Sequence, residues 1–148
     1  MILCDTNVWL ALTLSAHIHH SAARRWLASV GEPRSIAFCR TTQQALLRLL
    51  SNAAVLAPYG NPPLTNAEAW AIYDAFQRDD RIFFAEHEPP GLEPIWHSLA
   101  GRTTASPKLW MDAYLAAFAI AGGYRLVTTD PAFRQFRGLD CLLLGEHG

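Results

Sequence analysis

Short apolar runs alternate along the chain with longer segments whose apolar residues recur at helical spacing. Five runs have the composition of buried strands, and they lie at about residues 2–4, 35–39, 81–85, 124–128 and 141–144. The segments between them predict helices that begin near Val8, Ala22, Thr42, Thr65, Gly91 and Ser106. Because strands and helices alternate, we expect an α/β fold, with helices on both faces of a mainly parallel, roughly five-stranded sheet. We expect one domain over residues 1–148.

Capping and turn residues predict where several of these helices begin. Thr41 or Thr42 is placed to cap the helix after the second strand. Thr65, with Glu68 three residues later, has the spacing of a capping box. The stretch 56–65 before it is rich in proline and glycine, which predicts a loop.

The charge of the chain limits how it can recognise a partner. With 148 residues, 51% of them apolar, and a formal net charge of −1, the composition is that of a compact globular protein. So small a net charge produces no basic field, and it therefore argues against tight non-specific binding of nucleic acid. A nucleic-acid substrate is still possible, because a bound divalent cation would supply positive charge locally.

The apolar segments bear on the compartment. Cys4, Cys39 and Cys141 lie in apolar runs without metal-ligand spacing, which predicts buried free thiols in a reducing compartment. Asp5 interrupts the N-terminus before an apolar signal segment can form. The longest apolar stretch contains Asp112 and ends in two glycines, so we expect no membrane span. These features predict a soluble, cytoplasmic protein.

Polar residues lie at or shortly after the ends of three predicted strands. Asp5 comes after the first strand and Asp130 after the fourth, whereas Gln43 lies shortly after the second. Parallel strands end at the same edge of a sheet, where open α/β folds bind ligands, so these side chains should converge. Asp112, in the helix that precedes the fourth strand, lies within an apolar segment and is therefore expected to be desolvated. Asp5 and Asp130 could alternatively be simple helix or turn caps.

Gathered carboxylates favour a metal ion. Two carboxylates ~4 Å apart repel each other by about 4 kcal/mol at an effective dielectric constant of ~20, and a divalent cation removes that repulsion. Oxygen ligands without histidine or cysteine favour Mg²⁺ or Mn²⁺ over zinc. Such a site suits hydrolysis of a phosphodiester, because the ion activates water and stabilises charge on the phosphoryl oxygens.

Four segments together resemble a known family, the PIN-domain ribonucleases. In order and spacing, MILCDTNVWL, FCRTTQQALLRLL, LWMDAYLAAFA and LVTTDPAF are most similar to the VapC toxins of bacterial toxin–antitoxin pairs. The similarity covers nearly the whole chain. It implies a PIN-like three-layer domain, a metal-dependent endoribonuclease that cuts RNA, a homodimer, and a cognate antitoxin that blocks the site.

The resemblance also implies roles for individual residues. Asp5 and Asp112 match family acids that hold the metal ion, and Asp130 matches an acid that positions water or supports a second ion. The remaining family acid is usually a glutamate, and Gln43 occupies the matching position here. Glu88, beyond the third strand, is a possible substitute. Polar positions that neighbour these acids in the family are matched by Thr6, Asn7 and Thr128.

Two other functions remain open at this point. With Gln43 in place of an acid, the chain could bind RNA or an antitoxin without cutting RNA. It could also be a phosphatase with Asp5 as the nucleophile, but Asn7 stands where that chemistry usually has a second aspartate.

The histidines and tryptophans are predicted to be structural. The crowded histidines His17, His19 and His20 are expected at an exposed helix start and not at a metal site. The five tryptophans recur with other apolar residues and are expected in the core or in a dimer interface.

Overall fold

A computed structural model describes residues 1–145 of the chain, and a five-stranded sheet lies at its centre. The strands are β1 (Ile2–Cys4), β2 (Ile36–Phe38), β3 (Ile82–Phe84), β4 (Arg125–Thr128) and β5 (Cys141–Leu143). All neighbouring strands are parallel, and their order is β3-β2-β1-β4-β5. The predicted strands and the parallel α/β sheet are thus confirmed. β1 is the central strand, so the residue that follows it lies in the middle of the carboxyl edge.

The described residues form seven α-helices in two layers. They are α1 (Thr6–Thr13), α2 (His20–Ser29), α3 (Arg40–Leu50), α4 (Ala53–Leu56), α5 (Asn66–Gln77), α6 (Leu92–Ala100) and α7 (Leu109–Gly122). Short 3₁₀ helices span Ala57–Tyr59 and Pro131–Gln135. Helices α1 to α5 contribute to one apolar core and α6 and α7 to a second. The two cores give the expected three-layer arrangement.

Each strand supplies side chains to both cores. Leu3 and Leu126 lie in the core beneath α6 and α7, whereas their neighbours Cys4 and Val127 lie in the core beneath α1 to α5. All four side chains are fully inaccessible to solvent. Successive side chains of a strand point to opposite faces, and both faces of this sheet are covered. The strands therefore appear in the sequence as continuous apolar runs.

The tryptophans are divided between the core and the surface. Trp9 stacks on Phe38, with ring centroids 3.8 Å apart and an interplanar angle of 11°, and both rings are fully buried. Trp26 is also buried. Trp70 and Trp110 are 50% and 54% exposed, so a core role is wrong for these two. An interface role for them stays a prediction.

One of the two predicted helix caps is wrong and the other is confirmed. The N-cap of α3 is Cys39, and Thr42 accepts a hydrogen bond from the Cys39 backbone N–H at 3.0 Å, so the prediction that Thr41 or Thr42 is the cap is wrong. The capping box of Thr65 and Glu68 is confirmed, with bonds of 3.1 and 3.0 Å.

Two further boundaries are shifted. Helix α7 begins at Leu109, two residues after Pro107, because 107–108 form a turn that precedes it. The predicted loop 56–65 contains the end of α4 and a 3₁₀ helix. Helix α7 is 14 residues long, and no helix within 1–145 is long and apolar enough to cross a bilayer.

The histidines stabilise the connection between α1 and α2. His17 Nδ1 accepts a hydrogen bond from the backbone N–H of His19 at 3.0 Å, and its ring stacks on Tyr59. His20 Nδ1 lies 2.7 Å from the carbonyl oxygen of Ala11. The three cysteines are free thiols, with Cys4 and Cys39 buried and Cys141 partly buried.

Candidate active site

Asp5 and Asp130 lie at the carboxyl edge of two neighbouring strands. Asp5 follows β1 directly, and Asp130 lies two residues beyond the end of β4. The parallel register of β1 and β4 pairs Cys4 with Val127, and the Asp5 backbone N–H donates to the Val127 carbonyl oxygen at 2.9 Å. The predicted convergence of these two acids at one edge is therefore observed.

Asp5 is a buried carboxylate that does not cap its helix. It is the N-cap residue of α1, but its side chain makes no capping hydrogen bond. Instead the hydroxyl of Thr128 donates to Asp5 Oδ2 at 2.8 Å. Asp5 is only 6% exposed, and Thr128 is fully buried. The capping alternative is therefore wrong for Asp5.

Thr128 also connects the two acids. Its Oγ1 accepts a hydrogen bond from the backbone N–H of Asp130 at 3.0 Å while its hydroxyl hydrogen is donated to Asp5. A single buried hydroxyl thus fixes the carboxylate after β1 relative to the turn after β4.

The carboxylates of the site disfavour one another's ionised forms. Burial raises the pKa of Asp5 from 3.8 to about 6; the hydrogen bond from Thr128 opposes this rise, and the charges of Asp112 and Asp130 add to it. Burial, followed by the charge of Asp130, raises the pKa of Asp112 as well. The three predicted site acids therefore lie within electrostatic reach of one another.

Asp112 is less enclosed than its sequence neighbours suggest. It lies in the first turn of α7 and is only partly buried. The adjacent Trp110 and Met111 are 54% and 58% exposed, so they point away from the core instead of enclosing the carboxylate. The expected desolvation of Asp112 is confirmed in part, because burial is the main cause of its raised pKa, but Trp110 and Met111 do not supply it, since a helix places consecutive residues on different faces.

Asp130 has a capping role in addition to its place in the site. Its Oδ1 accepts a hydrogen bond from the backbone N–H of Ala132 at 2.9 Å, at the start of the 3₁₀ helix Pro131–Gln135. The capping alternative is confirmed for this residue. Asp130 and Asp112 also line the same cavity, of about 510 Å³, and Arg102 and Lys108 line it with them. The sequence pattern did not single out these two cations, whose signal is their position just before the helix of Asp112.

Gln43 lies at the same edge but its carbonyl oxygen is already bound. Gln43 is 5% exposed, in the first turn of α3. Its Oε1 accepts a hydrogen bond from Arg40 Nη1 at 2.5 Å, and the Arg40 guanidinium lies 4.4 Å from the centroid of the Phe84 ring. The amide oxygen that was the possible neutral ligand is therefore held by an arginine.

Glu88 is bound to a tyrosine. It is exposed and accepts a hydrogen bond from the Tyr114 hydroxyl at 2.5 Å. Burial, together with Glu88, raises the pKa of Tyr114. Glu88 is not among the groups that shift the pKa of Asp5 or Asp112, so the structure does not group it with the other acids.

The donor chemistry suits a hard cation, although a compact ligand cluster is not formed. Within residues 1–145, no group of three or more histidine, cysteine, aspartate or glutamate side chains is close enough to hold a metal ion. The site nevertheless presents carboxylate oxygens whose pKa values are raised by burial and mutual repulsion, a penalty that a divalent cation would relieve. The residues therefore fit Mg²⁺ or Mn²⁺ by chemistry and not zinc.

Comparison with known proteins gives the family. The sequence model of the PIN-domain family matches residues 2–139 of this chain. Ribonuclease VapC41 of Mycobacterium tuberculosis is 60% identical over 146 residues, which span 99% of this chain and 100% of that protein.

Solved structures share the fold at low sequence identity. VapBC2 from Rickettsia felis, bound to a DNA fragment from its promoter, has a TM-score of 0.65 at 16% identity and covers 97% of this chain and 99% of its own. The sarcin–ricin loop cleaving toxin VapC20 of Mycobacterium tuberculosis also has a TM-score of 0.65, at 18% identity, covering 95% of this chain and 98% of its own. These findings show that the chain belongs to the PIN-domain family, among the VapC ribonucleases.

Proposed function

We propose that this chain is a metal-dependent endoribonuclease toxin that hydrolyses RNA phosphodiester bonds at Asp5, Asp112 and Asp130. The observation that carries the proposal is the Asp5 carboxylate, which is nearly inaccessible, does not cap a helix and lies in the field of two further carboxylates. A buried and repelled carboxylate destabilises a fold unless it has a functional partner. We take the whole of residues 1–148 to be one PIN domain.

The side chains divide the work by their positions. Asp5 and Asp112 would hold Mg²⁺, or Mn²⁺, which when bound lowers the pKa of water and stabilises charge on the phosphoryl oxygens. Thr128 orients the Asp5 carboxylate through its 2.8 Å hydrogen bond. Asp130 would position the attacking water or support a second ion. Because the pKa of Asp5 is about 6, this carboxylate is mostly ionised at neutral pH.

The proposed partners are a cognate antitoxin and a second copy of the chain. The structural neighbours support the antitoxin, since the name VapBC2 stands for an antitoxin together with its VapC toxin. Trp110 and Met111 form adjacent exposed apolar surface on α7, of the kind that a protein partner covers. We further propose that the protein acts in the cytoplasm, on the RNA of its own cell.

A second candidate is a PIN module that binds RNA or an antitoxin with weak or no cleavage. The specific observation in its favour is Gln43, which is neutral where the family usually has an acid and whose amide oxygen is bound to Arg40. The site would then hold three carboxylates instead of four, and metal affinity would be lower.

Cleavage of RNA by the purified protein tests the proposal. We expect end-labelled RNA to be cut with Mg²⁺ or Mn²⁺, to stay intact in chelator, and to be cut again when the ion is restored. Asp5→Asn should abolish cleavage and relieve growth arrest on expression, whereas Asp74→Asn, at an exposed position on α5, should do neither.

The alternatives give different results in the same assay. An Asp5→Asn protein that stays folded and cuts RNA as the unaltered chain does would show that the site is wrongly assigned. An unaltered protein that binds RNA but leaves it intact with both ions would favour the binding module. Turnover of a small phosphomonoester without cleavage of RNA would favour the phosphatase.

A further inference from the structure

The cavity beside Asp112 and Asp130 has walls of opposite charge. Its volume is about 510 Å³, within the range of ~300–1,000 Å³ typical of pockets for small ligands. The two carboxylates line it together with Arg102 and Lys108, which belong to the segment 101–108 between α6 and α7. The cavity thus extends from the acids of the site to a pair of cations.

The two cations are not neutralised by the protein. Among residues 1–145 the ion pairs join Arg81 to Asp79 and Arg125 to Asp140, and none involves Arg102 or Lys108. Both cations are exposed and line the cavity without an ion-pair partner, so they are available to an anionic ligand.

Arg102 is held in place by a neutral group. One of its guanidinium N–H groups, on Nη2, donates to the side-chain oxygen of Gln135. An arginine has five N–H donors, so this single contact orients the guanidinium and leaves most of its donors available for a ligand. Oriented guanidinium groups match the oxygens of a phosphate in a two-pronged geometry, and lysine adds a mobile point charge.

We propose that this cavity binds a backbone phosphate of the RNA strand adjacent to the bond that is cut, through Arg102 and Lys108. The inference rests on the proposed function, because the scissile phosphate is assigned to the carboxylate side of the cavity. With a net charge of −1 the chain has no general attraction for RNA, so affinity must come from local cations. Arg102 and Lys108 share a cavity with the acids and are placed to provide it.

Contacts to phosphate position a strand but do not read its sequence. The two cations should therefore strengthen the binding of RNAs of different sequence to the same extent. Each phosphate contact to a single strand adds about 0.7 to the slope of log affinity against log salt concentration. Loss of both contacts should lower that slope by ~1.4.

The test is RNA binding in an Asp5→Asn background, measured by fluorescence anisotropy with two labelled 12-nucleotide RNAs of unrelated sequence over a series of KCl concentrations. Adding Arg102→Gln and Lys108→Gln should weaken binding of both RNAs by about tenfold or more at low salt and lower the salt slope. Arg102→Lys with Lys108 intact should keep the slope. Arg78→Gln, which removes one exposed cation before β3 at the opposite edge of the sheet, is the charge-matched control for Arg102→Gln made alone, and it should change neither affinity nor slope.

Each outcome is decisive, provided that thermal melts show the variants folded. Unchanged affinity and slope in the doubly substituted protein would overturn the proposal, as would an effect of Arg78→Gln equal to that of Arg102→Gln alone. The same variants are also measured with a labelled acidic peptide. If they lose binding to the peptide but still bind RNA, the cavity recognises a protein partner and the proposal is overturned. Cleavage by the chain with native Asp5 is measured separately, so failure to cut RNA would reject the proposed function while the binding series still tests the cavity.

Discussion

At the scale of single residues, Asp5 is a carboxylate that the fold removes almost entirely from water. Its pKa of about 6 in the folded protein lies above the ordinary 3.8, mainly because the carboxylate is buried. The folded state therefore binds this proton more tightly than the unfolded state, and stability falls as pH rises from about 4 through 6. The ionised carboxylate thus lowers the free energy of unfolding above pH 6, by ~3 kcal/mol for a shift of about two pKa units.

We predict from this sign that Asp5→Asn stabilises the metal-free protein only where Asp5 is ionised. In chelator, the variant should have the higher free energy of unfolding at pH 7.5, by ~2–3 kcal/mol, and little advantage at pH 4.5. Urea unfolding of both proteins at the two pH values measures the difference. A difference that is the same at both values would mean that the carboxylate is not the cause.

Sequence reasoning placed Asp5 and Asp130 correctly, but it could not give their contacts. A residue that follows a parallel strand must lie at the carboxyl edge, and that rule needs no side-chain detail. The Thr128 hydroxyl reaches Asp5 only because β1 and β4 are neighbours in a particular register, which is a tertiary feature. The burial of Asp112 was expected, but its partial exposure was not apparent from the sequence, because hydropathy averages over faces that a helix separates.

Gln43 shows the same limit. Its position opposite the family acid follows from sequence, but its hydrogen bond with Arg40 depends on the side-chain conformations of two residues in the first turn of α3. The arginine satisfies the amide oxygen of Gln43 but supplies no negative charge in place of the missing carboxylate. A glutamine here is therefore part of a satisfied pair and not merely a lost ligand.

At the scale of elements, the ends of β1 and β4 are joined by one hydroxyl. Thr128 is the last residue of β4, and it bonds both the Asp5 carboxylate and the backbone N–H of Asp130. The strands themselves were predictable from their apolar runs. The starts of the helices were harder to predict. Cys39 is not a residue that usually caps helices, and the start of α3 depends on a hydrogen bond from the Cys39 backbone N–H to the Thr42 hydroxyl oxygen.

We predict that Thr128→Val, which has a similar shape but lacks the hydroxyl, raises the pKa of Asp5 further. The hydrogen bond lowers that pKa in the native chain, so its removal should move the acidic limb of the pH–rate profile for RNA cleavage to higher pH. Unsatisfied buried groups should also lower stability by ~1–3 kcal/mol. Thr128→Ser keeps the hydroxyl and is the control. An acidic limb that stays in place, in a folded Thr128→Val protein, would contradict the assigned role.

At the scale of the whole molecule, an apolar core lies on each face of the sheet, and the acids of the site lie at its carboxyl edge. The cores were predictable in outline, since runs buried on both faces require helices on both faces. The cavity was not predictable, because Arg102 and Lys108 reach it from a connection whose path depends on how α6 and α7 pack. The repulsion between the carboxylates is concentrated at this edge of the sheet. A change that reduces this repulsion should therefore raise the stability of the whole domain.

We therefore predict that Mg²⁺ raises the stability of the folded chain through Asp5. A ligand that binds only the native state stabilises it by RT ln(1 + [L]/Kd), which is about 2.7 kcal/mol when the ion is present at 100 times Kd. Thermal melts at pH 7.5 over increasing MgCl₂ should show a rising midpoint for the native chain and a much smaller rise for Asp5→Asn. Because salt also screens repulsion among the carboxylates, equal ionic strength is kept with KCl. If the midpoint rises equally in both proteins, the ion does not bind at Asp5. The buried Asp5 carboxylate is then stabilised by groups of the protein alone.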